Sequence, residues 1–189
     1  MNENPYTWKG SFINSIINVN DFNSYLELGL GNGDTWNIVE CSRKVGVDNN
    51  QDIANRLSGV CSTTDEYLEN CTETFDLIYI DALHEKSQVL KDFRNSLKIL
   101  NERGIIIFHD INPLSESQVS SSASGDVFEL WMELVEKYRK HVKVVIGVDG
   151  DTVGVFHKEG FTESLPYSTM SRGYDYFNEN RNRYIEELV

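Results

Sequence analysis

The chain has 189 residues, of which 40% are hydrophobic and 25% charged, a composition typical of soluble globular proteins. Its formal net charge of −13 argues against recognition of nucleic-acid phosphates, because such contacts need clustered lysine and arginine. No apolar run approaches the ~20 residues of a membrane span, and the amino terminus lacks the regions of a signal peptide. The three cysteines lack metal-ligand spacing, which predicts reduced thiols in a cytoplasmic protein. The length predicts one domain over 1–189.

Predicted strands alternate with predicted helices along most of the chain. Two strands are continuous apolar runs that end in an acid, FDLIYID and GIIIFHD, and such runs are typical of parallel strands covered on both faces. The last two strands are separated by the tripeptide DGD, which predicts an antiparallel hairpin. In chain order the predicted strands are Ser24–Leu28, Lys44–Val47, Val60–Ser62, Phe75–Asp81, Gly104–Asp110, Val142–Val148 and Thr152–His157.

The helices between these strands are predicted from apolar spacing and capping residues. Asp34 and Thr35 resemble the opening of a helix directly after the first strand. Asp126, with Glu129 three residues on, resembles a capping box that starts a helix on its carboxyl side. The domain core is expected over about residues 24–157, and the tail over 160–189 is expected to contain a terminal helix near Tyr176–Leu188.

Alternating strands and helices predict an α/β protein with a doubly wound, mostly parallel sheet. In such sheets ligands lie beyond the carboxyl ends of the strands. Asp48, Asp81 and Asp110 each stand at such an end, and so does a glycine-rich loop after the first strand. Four polar features are therefore expected at one edge of the sheet, which predicts a binding site there.

The glycine-rich loop lies in the stretch YLELGLGNGDTW, Tyr25–Trp36. Glycines allow a tight strand-to-helix turn without any ligand, but they also let a ligand approach the backbone closely. Glu27 stands where a purely structural strand would prefer an apolar residue, and Asp48 can accept hydrogen bonds from ribose hydroxyls. The spacing is GxGxG, not GxGxxG, and Asp34 would repel a phosphate, so a ligand without phosphate is favoured.

The stretches ELGLGNG and VGVD resemble the first motif and the ribose-binding acid of class I S-adenosylmethionine-dependent methyltransferases. The resemblance implies a Rossmann-like sheet of seven strands in the order 3-2-1-4-5-7-6, with helices on both faces. It also implies that the glycine loop meets the methionine end of the cofactor and that Thr63, Thr64 and Asp65 lie near the adenine. The residues assigned to the cofactor in this way are Glu27, Gly29, Gly31, Asn32, Gly33, Asp48, Thr63, Thr64 and Asp81.

The stretch IDALHEKSQVLKDF resembles one branch of this class, similar to methyltransferase family 24, which carries D-G-x-H followed by V-x-x-D. Asp81, His84, Val89 and Asp92 match this pattern, and Ala82 replaces the usual glycine. The resemblance covers roughly residues 24–157 and does not specify a substrate.

Related O-methyltransferases of sugars and catechols hold Mg²⁺ with carboxylates at these strand ends. The resemblance assigns a metal site to Asp81, His109 and Asp110, with Asn112 as a further source of oxygen. Mg²⁺ prefers oxygen ligands and could lower the pKa of a substrate hydroxyl. Two firm carboxylates are few for such a site, so methyl transfer without a metal stays an alternative.

His84 and Asp81 are the candidate catalytic residues. An imidazole titrates near neutral pH, so His84 could take the proton of a hydroxyl as the methyl group is transferred. The alternatives are structural: His84 could satisfy a buried polar group, Asp81 could cap a helix, and Asp110 could belong to a turn before Pro113.

The sequence thus predicts an S-adenosylmethionine-dependent methyltransferase that acts on oxygen in a small hydroxylated acceptor such as a sugar or metabolite. An oxidoreductase that binds NAD or a nucleotide sugar and a non-catalytic cofactor-binding domain are the rival interpretations. Expected partners are a small-molecule substrate and a second copy in a homodimer, with neither nucleic acid nor membrane. The serine-rich segment Ser115–Ser124 follows the fifth strand, and it is expected to be either a lid over the site or a disordered connection.

Overall fold

The computed structural model describes residues 7–120, 123–162 and 171–189, so two residues of the serine-rich segment, 121 and 122, lie outside the described residues. The strands are β1 (Ser24–Leu28), β2 (Arg43–Asp48), β3 (Val60–Cys61), β4 (Phe75–Ile80), β5 (Leu100–Phe108), β6 (Val142–Ile146) and β7 (Thr152–His157). The α-helices are α1 (Trp8–Asn20), α2 (Gln51–Leu57), α3 (Thr64–Asn70), α4 (Lys86–Ile99), α5 (Val127–Tyr138), α6 (Gly173–Glu179) and α7 (Arg181–Tyr184). Single 3₁₀ turns occupy Glu116–Gln118, Val148–Gly150 and Glu186–Leu188.

The seven strands form one sheet in the order β3-β2-β1-β4-β5-β7-β6. The strands β3, β2, β1, β4 and β5 are parallel to one another, whereas β7 runs antiparallel to both β5 and β6. The predicted fold class and strand order are therefore confirmed. Because β1, β2, β4 and β5 are parallel, their carboxyl ends all lie at the same edge of the sheet.

Alternate residues of the central strands point into two hydrophobic cores, one on each face of the sheet. On one face, Leu26, Ile78 and Ile106 pack in the same core as Phe93 of α4 and Trp131 of α5. On the other face the neighbouring strand residues pack with α1, and this core includes Ile13, Ile17, Tyr25, Leu77, Tyr79, Ile105 and Ile107. None of the helices within the described ranges is long and apolar enough to cross a membrane.

The helix predicted to open at Asp34 and Thr35 does not form, and residues 31–38 form turns. A helix would need the Glu40 N–H to bond the Trp36 carbonyl, but both groups have other partners. The Lys44 ammonium donates to the Trp36 carbonyl at 2.7 Å, and the Glu40 N–H donates to Asn14 Oδ1 of α1 at 2.8 Å. The prediction was wrong because contacts from α1 and β2 take over these backbone groups.

Three other predictions differ from the structure in detail. Asp126 makes no side-chain cap for its own helix α5, because its Oδ1 accepts a hydrogen bond from the Lys86 N–H at 2.5 Å and so caps α4. The hairpin is antiparallel as predicted, but β6 ends at Ile146, before a 3₁₀ turn. The predicted terminal helix is divided into α6, α7 and a 3₁₀ turn, and its side chains Phe177, Tyr184 and Leu188 join the core of α4 and α5.

Candidate active site

The three glycines of the loop after β1 all have positive φ angles, +89° at Gly29, +49° at Gly31 and +85° at Gly33. A Cβ on Gly29 would lie 2.0 Å from the Asp81 carbonyl oxygen, and one on Gly33 would lie 2.7 Å from Asn37 Nδ2. At Gly31 a Cβ would meet nothing within 4 Å. Gly29 therefore allows the loop to touch the end of β4, Gly33 allows the following turn, and Gly31 leaves its surroundings open.

Asp48, at the end of β2, holds this loop in place. Its Oδ2 accepts hydrogen bonds from the backbone N–H groups of Leu30 at 3.0 Å and Gly31 at 3.3 Å, and its Oδ1 accepts one from Asn50 at 2.8 Å. A carboxylate has about four acceptor positions, so capacity for a ligand hydroxyl remains. Sequence reasoning assigned Asp48 to a ribose and missed this structural role.

A cavity of about 640 Å³ opens beside the loop, within the usual range for small-molecule sites. Every residue that the sequence assigned to the cofactor lines it except Gly33, which lies in the turn behind it. His84 also lines the cavity. Lys9, Leu83 and Gln88 line it too, although sequence reasoning did not assign them to a site. The structure thus brings the glycine loop and the candidate base into one cavity.

Glu27 is a buried acid in the wall of this cavity, with only 1% of its surface exposed. Burial raises its pKa to about 8, although a hydrogen bond from the Tyr25 hydroxyl to Oε2 at 2.6 Å opposes the shift. The carboxyl is therefore largely protonated at neutral pH in the ligand-free protein. It becomes more acidic when a cation lies beside it.

Beyond the ends of β4 and β5, two acids and two histidines form a cluster of Asp81, His84, His109 and Asp110. His109 Nδ1 lies 3.2 Å from Asp81 Oδ1 and 2.9 Å from Asp110 Oδ2. His84 Nε2 lies 3.2 Å from Asp110 Oδ2 and 3.6 Å from Asp81 Oδ1. Asp110 adopts a left-handed φ of +59°, a conformation that aspartate tolerates better than most residues.

The charges in this cluster support one another. Burial alone would lower the pKa of His109, but Asp81, Asp110 and Asp151 together hold it well above its usual value. Burial would likewise raise the pKa of Asp81, yet His109 and His84 hold it well below its usual value. The hydrogen bond to Asp81 raises the pKa of His84 against the effect of burial. The carboxylates therefore favour the cationic form of His109, and the two histidines favour the anionic form of Asp81.

Lys9 adds a second cation, which comes from α1 and not from the strand ends. Its Nζ lies 3.0 Å from His109 Nε2 and 3.0 Å from Asp151 Oδ2, and only 9% of its surface is exposed. Asp151 also accepts a hydrogen bond from Trp8 Nε1 at 2.9 Å and lies 3.2 Å from His109 Nε2. Lys9 and Asp151 are 142 positions apart in the chain, so no local pattern could have paired them.

The same cluster can be tested as a metal site. Asp81, His84 and Asp110 each offer one ligand atom, and these atoms lie within 4.8 Å of one another. His109 Nδ1 and Asp110 Oδ2 are buried and lie 2.9 Å apart, but neither atom has a partner in hydrogen-bond geometry among the described residues. Asn112 directs its Oδ1 to Arg181, which donates a hydrogen bond to it and so competes with a metal ion for this oxygen. The set of two carboxylates and imidazole suits a divalent transition metal better than Mg²⁺, which prefers oxygen alone.

His84 presents one nitrogen to the cluster. Its Nδ1 faces the backbone carbonyl of Ala123, which can only accept, so in the neutral ring Nδ1 carries the hydrogen. Nε2 then carries the lone pair and faces Asp81 and Asp110. That single lone pair can take a proton or bind a metal ion, but it cannot do both at once.

A family model described as a methyltransferase domain, of methyltransferase family 24, matches residues 18–111. This match spans β1, the glycine loop, β4 and the acid–histidine cluster. The recognition of a class I methyltransferase of the family 24-like branch is confirmed by this match together with the fold. Dependence on S-adenosylmethionine is what this family implies. Among curated proteins, no sequence matches the chain.

Solved structures of methyltransferases share the fold at low sequence identity. A protein from Staphylococcus aureus, provisionally named a caffeoyl-CoA O-methyltransferase, is 16% identical, with 80% of this chain and 83% of that chain covered and a TM-score of 0.59. An O-methyltransferase from Bacillus cereus in complex with S-adenosylhomocysteine (SAH) is 16% identical, with coverage of 80% and 81% and a TM-score of 0.54. The N-methyltransferase NodS from Bradyrhizobium japonicum is 16% identical, with coverage of 84% and 99% and a TM-score of 0.57. Because O- and N-methyltransferases both share this fold, the fold does not identify the methylated atom.

Proposed function

We propose that this protein is an S-adenosylmethionine-dependent methyltransferase that acts on a hydroxyl group of a small acceptor. One observation carries the proposal: a single cavity joins the glycine loop and Asp48 to the candidate base His84. The SAH bound to the structurally similar Bacillus cereus enzyme supports the choice of cofactor.

The cavity wall suits each part of this cofactor. Glu27 and the loop from Gly29 to Asn32 would hold the methionine end, where the ammonium group is complementary to a buried acid. Asp48 would accept hydrogen bonds from the ribose, and Thr63 and Thr64, at the start of α3, would lie at the adenine. When bound, the cofactor supplies an electrophilic methyl group on its sulfonium.

His84 would act as the general base. Its neutral Nε2 would accept the proton of the acceptor hydroxyl, within the acid–histidine cluster. Asp81 and Asp110 would then stabilise the imidazolium that results, because both carboxylates lie within 3.6 Å of Nε2. Much of the rate would come from holding the hydroxyl in line with the methyl group.

A divalent metal enters the proposal as a second way to activate the hydroxyl. Asp81 and Asp110 would supply the carboxylates, with His109 or His84 as the nitrogen ligand. Because His84 has a single free lone pair, its use as a ligand would remove it as the base. Turnover measured in EDTA, and again after adding Mg²⁺ or Mn²⁺, distinguishes the two ways of activating the hydroxyl. Activity that persists in EDTA would assign the activation to His84 without a metal.

The first experiment is calorimetric titration with SAH and, separately, with NAD⁺. We expect micromolar binding of SAH and much weaker binding of NAD⁺, and loss of SAH binding in Asp48→Asn. The matched control is Asp52→Asn, in the first turn of α2 and outside the cavity wall. Failure of folded wild-type protein to bind SAH, or tighter binding of NAD⁺, would reject the proposal in favour of an oxidoreductase or another ligand.

The acceptor is then sought among small hydroxylated compounds, with amines as the alternative that NodS suggests. SAH binding without turnover of any acceptor, unchanged by a His84 substitution, would favour a non-catalytic cofactor-binding domain.

A cytoplasmic location and a homodimer complete the proposal. The first is supported by the three free cysteines, Cys41, Cys61 and Cys71, and sedimentation in solution tests the second.

A further inference from the structure

Gln88, in the first turn of α4, has an amide orientation that its neighbours determine. Its Nε2 lies 2.9 Å from Asp65 Oδ1, 3.0 Å from Asp92 Oδ1 and 3.3 Å from Thr64 Oγ1. Ionised carboxylates only accept hydrogen bonds, so the amide nitrogen must face the two acids. If the amide were reversed, its oxygen would face two carboxylates without a proton between them.

Asp92 holds Gln88 from inside the protein. It lies one helical turn after Gln88 on α4, and its surface is completely buried. Its Oδ2 makes no hydrogen bond with the described residues, whereas its Oδ1 accepts from Gln88. A buried carboxylate is costly in a helix, and burial raises the pKa of Asp92. Within the part of the chain that the structure describes, this side chain anchors the Gln88 amide together with Thr64.

The amide oxygen of Gln88, Oε1, is available to accept a hydrogen bond from a ligand. Both hydrogens of Nε2 are directed at acidic oxygens or the Thr64 hydroxyl, so Oε1 remains as an acceptor. Gln88 lines the cavity together with Thr63, Thr64 and Asp65. This end of the cavity therefore presents acceptors, and it is complementary to a ligand group that donates hydrogen bonds.

We propose that Gln88 selects the base of the nucleoside by accepting a hydrogen bond from the exocyclic amino group of adenine, with Asp92 as its positioning residue. The inference rests on the proposed cofactor and names the residue that reads its base. A 6-oxopurine carries an oxygen in place of the amino group, and two acceptors would then face each other. Gln88 thus favours adenine over hypoxanthine nucleosides.

The test compares the calorimetric affinities of SAH and its 6-oxo analogue, S-inosylhomocysteine. We expect wild-type protein to prefer SAH by roughly 10- to 100-fold, the effect of leaving a buried polar group unpaired. Gln88→Met keeps the length of the side chain but removes the amide acceptor, and should reduce the preference at least about threefold. The matched control Gln51→Met, at the exposed start of α2, should keep the wild-type preference.

A second variant, Asp92→Asn, tests the positioning role. An amide at this position can donate or accept, so only Asp65 still fixes the orientation of Gln88. The preference for SAH should therefore fall while the unfolding transition shows a folded protein. Equal wild-type affinity for both ligands, or a full preference in Gln88→Met, would overturn the inference and leave the cofactor intact. Failure of folded wild-type protein to bind SAH at all would instead overturn the proposed function.

Discussion

Asp48 and Gly29 show how single residues prepare the cavity before a ligand binds. Asp48 accepts the backbone N–H groups of Leu30 and Gly31, and Gly29 allows the loop to touch the Asp81 carbonyl without a steric clash. A loop that is already in its binding conformation avoids part of the entropy cost of binding. An Asp48 substitution therefore changes both the ribose contact and the loop, so folding must be measured beside binding.

At the scale of the residue, His84→Asn should lower turnover by about 10²- to 10⁴-fold, the usual contribution of a general base. SAH affinity should change little, because the proton acceptor is not needed to hold the cofactor. Steady-state kinetics and calorimetry measure the two effects. His157→Asn is the matched control, since His157 pairs with Ile105 at the opposite edge of the sheet. Wild-type turnover in His84→Asn would contradict the assignment of the base.

Glu27 predicts how stability depends on pH. Its pKa rises from 4.5 to about 8 in the folded protein because of burial, so between these values the unfolded chain releases a proton that the folded protein keeps. Raising the pH through this range therefore favours unfolding, by at most about 5 kcal/mol from this residue. Glu27→Gln removes this contribution and should lose less stability between pH 5.5 and 8.

Urea unfolding at these two pH values measures the difference. Glu102→Gln, at an exposed position of β5, is the control and should keep the wild-type dependence. The same loss of stability in Glu27→Gln and wild type would mean that Glu27 is ionised in the folded protein.

At the scale of the element, α1 connects the amino-terminal region to the active edge of the sheet. Its Trp8 packs against Gly147, where an added Cβ would lie 2.2 Å from the indole ring, and its Lys9 reaches His109 and Asp151. Helix α1 also diverts the backbone of the segment after the glycine loop, through Asn14. One helix thus contacts both the segment after the glycine loop and the acid–histidine cluster.

Lys9→Met should lower the free energy of unfolding by about 1–3 kcal/mol, because it leaves Asp151 with less compensation in a partly buried site. Urea unfolding gives the value, and Lys98→Met, at an exposed position of α4, is the matched control. A double-mutant cycle with Asp151→Asn should give a coupling of about 0.5–3 kcal/mol. Additive effects would show that the pair contributes no stability.

At the scale of the whole molecule, the carboxyl-terminal helices belong to the same core as the sheet. Trp131 Nε1 of α5 donates to the Tyr184 carbonyl at 3.0 Å, and Phe177 is completely buried. The sequence separated a core over 24–157 from a tail over 160–189, but the packing of α6 and α7 continues that core. One cooperative domain remains the prediction, and unfolding tests it.

Phe177→Ala should lower the free energy of unfolding by about 3–5 kcal/mol, because it leaves a cavity in the core. The control Val189→Ala changes a side chain at a residue that is 72% exposed and should have little effect. Within each variant, far-UV circular dichroism and tryptophan fluorescence should report one coincident urea transition. Two separate transitions would indicate that the carboxyl-terminal helices unfold as a unit of their own.

The sequence by itself determined the class of fold and the edge of the sheet where a site lies. Continuous apolar runs and glycines are local signals, and the carboxyl ends of parallel strands meet at one edge, so Asp48, Asp81 and Asp110 could be placed together without coordinates. His84 and His109 followed because each stands within three residues of such an end. The family motifs added the strand order, which periodicity alone does not contain.

Only the tertiary structure decided which polar groups are partners. Lys9 contacts Asp151, which is 142 positions away in the chain. Lys44 and Asn14 bind the backbone groups that the helix predicted at Asp34 would need. Asp126 caps α4 instead of α5. Gln88 became a candidate reader of the base only when Asp65 and Asp92 were seen on both sides of its amide. A local pattern encodes the preference of a segment for helix or strand. The partner of a buried donor or charge depends on segments that are distant in the chain, and these become neighbours only when the chain has folded.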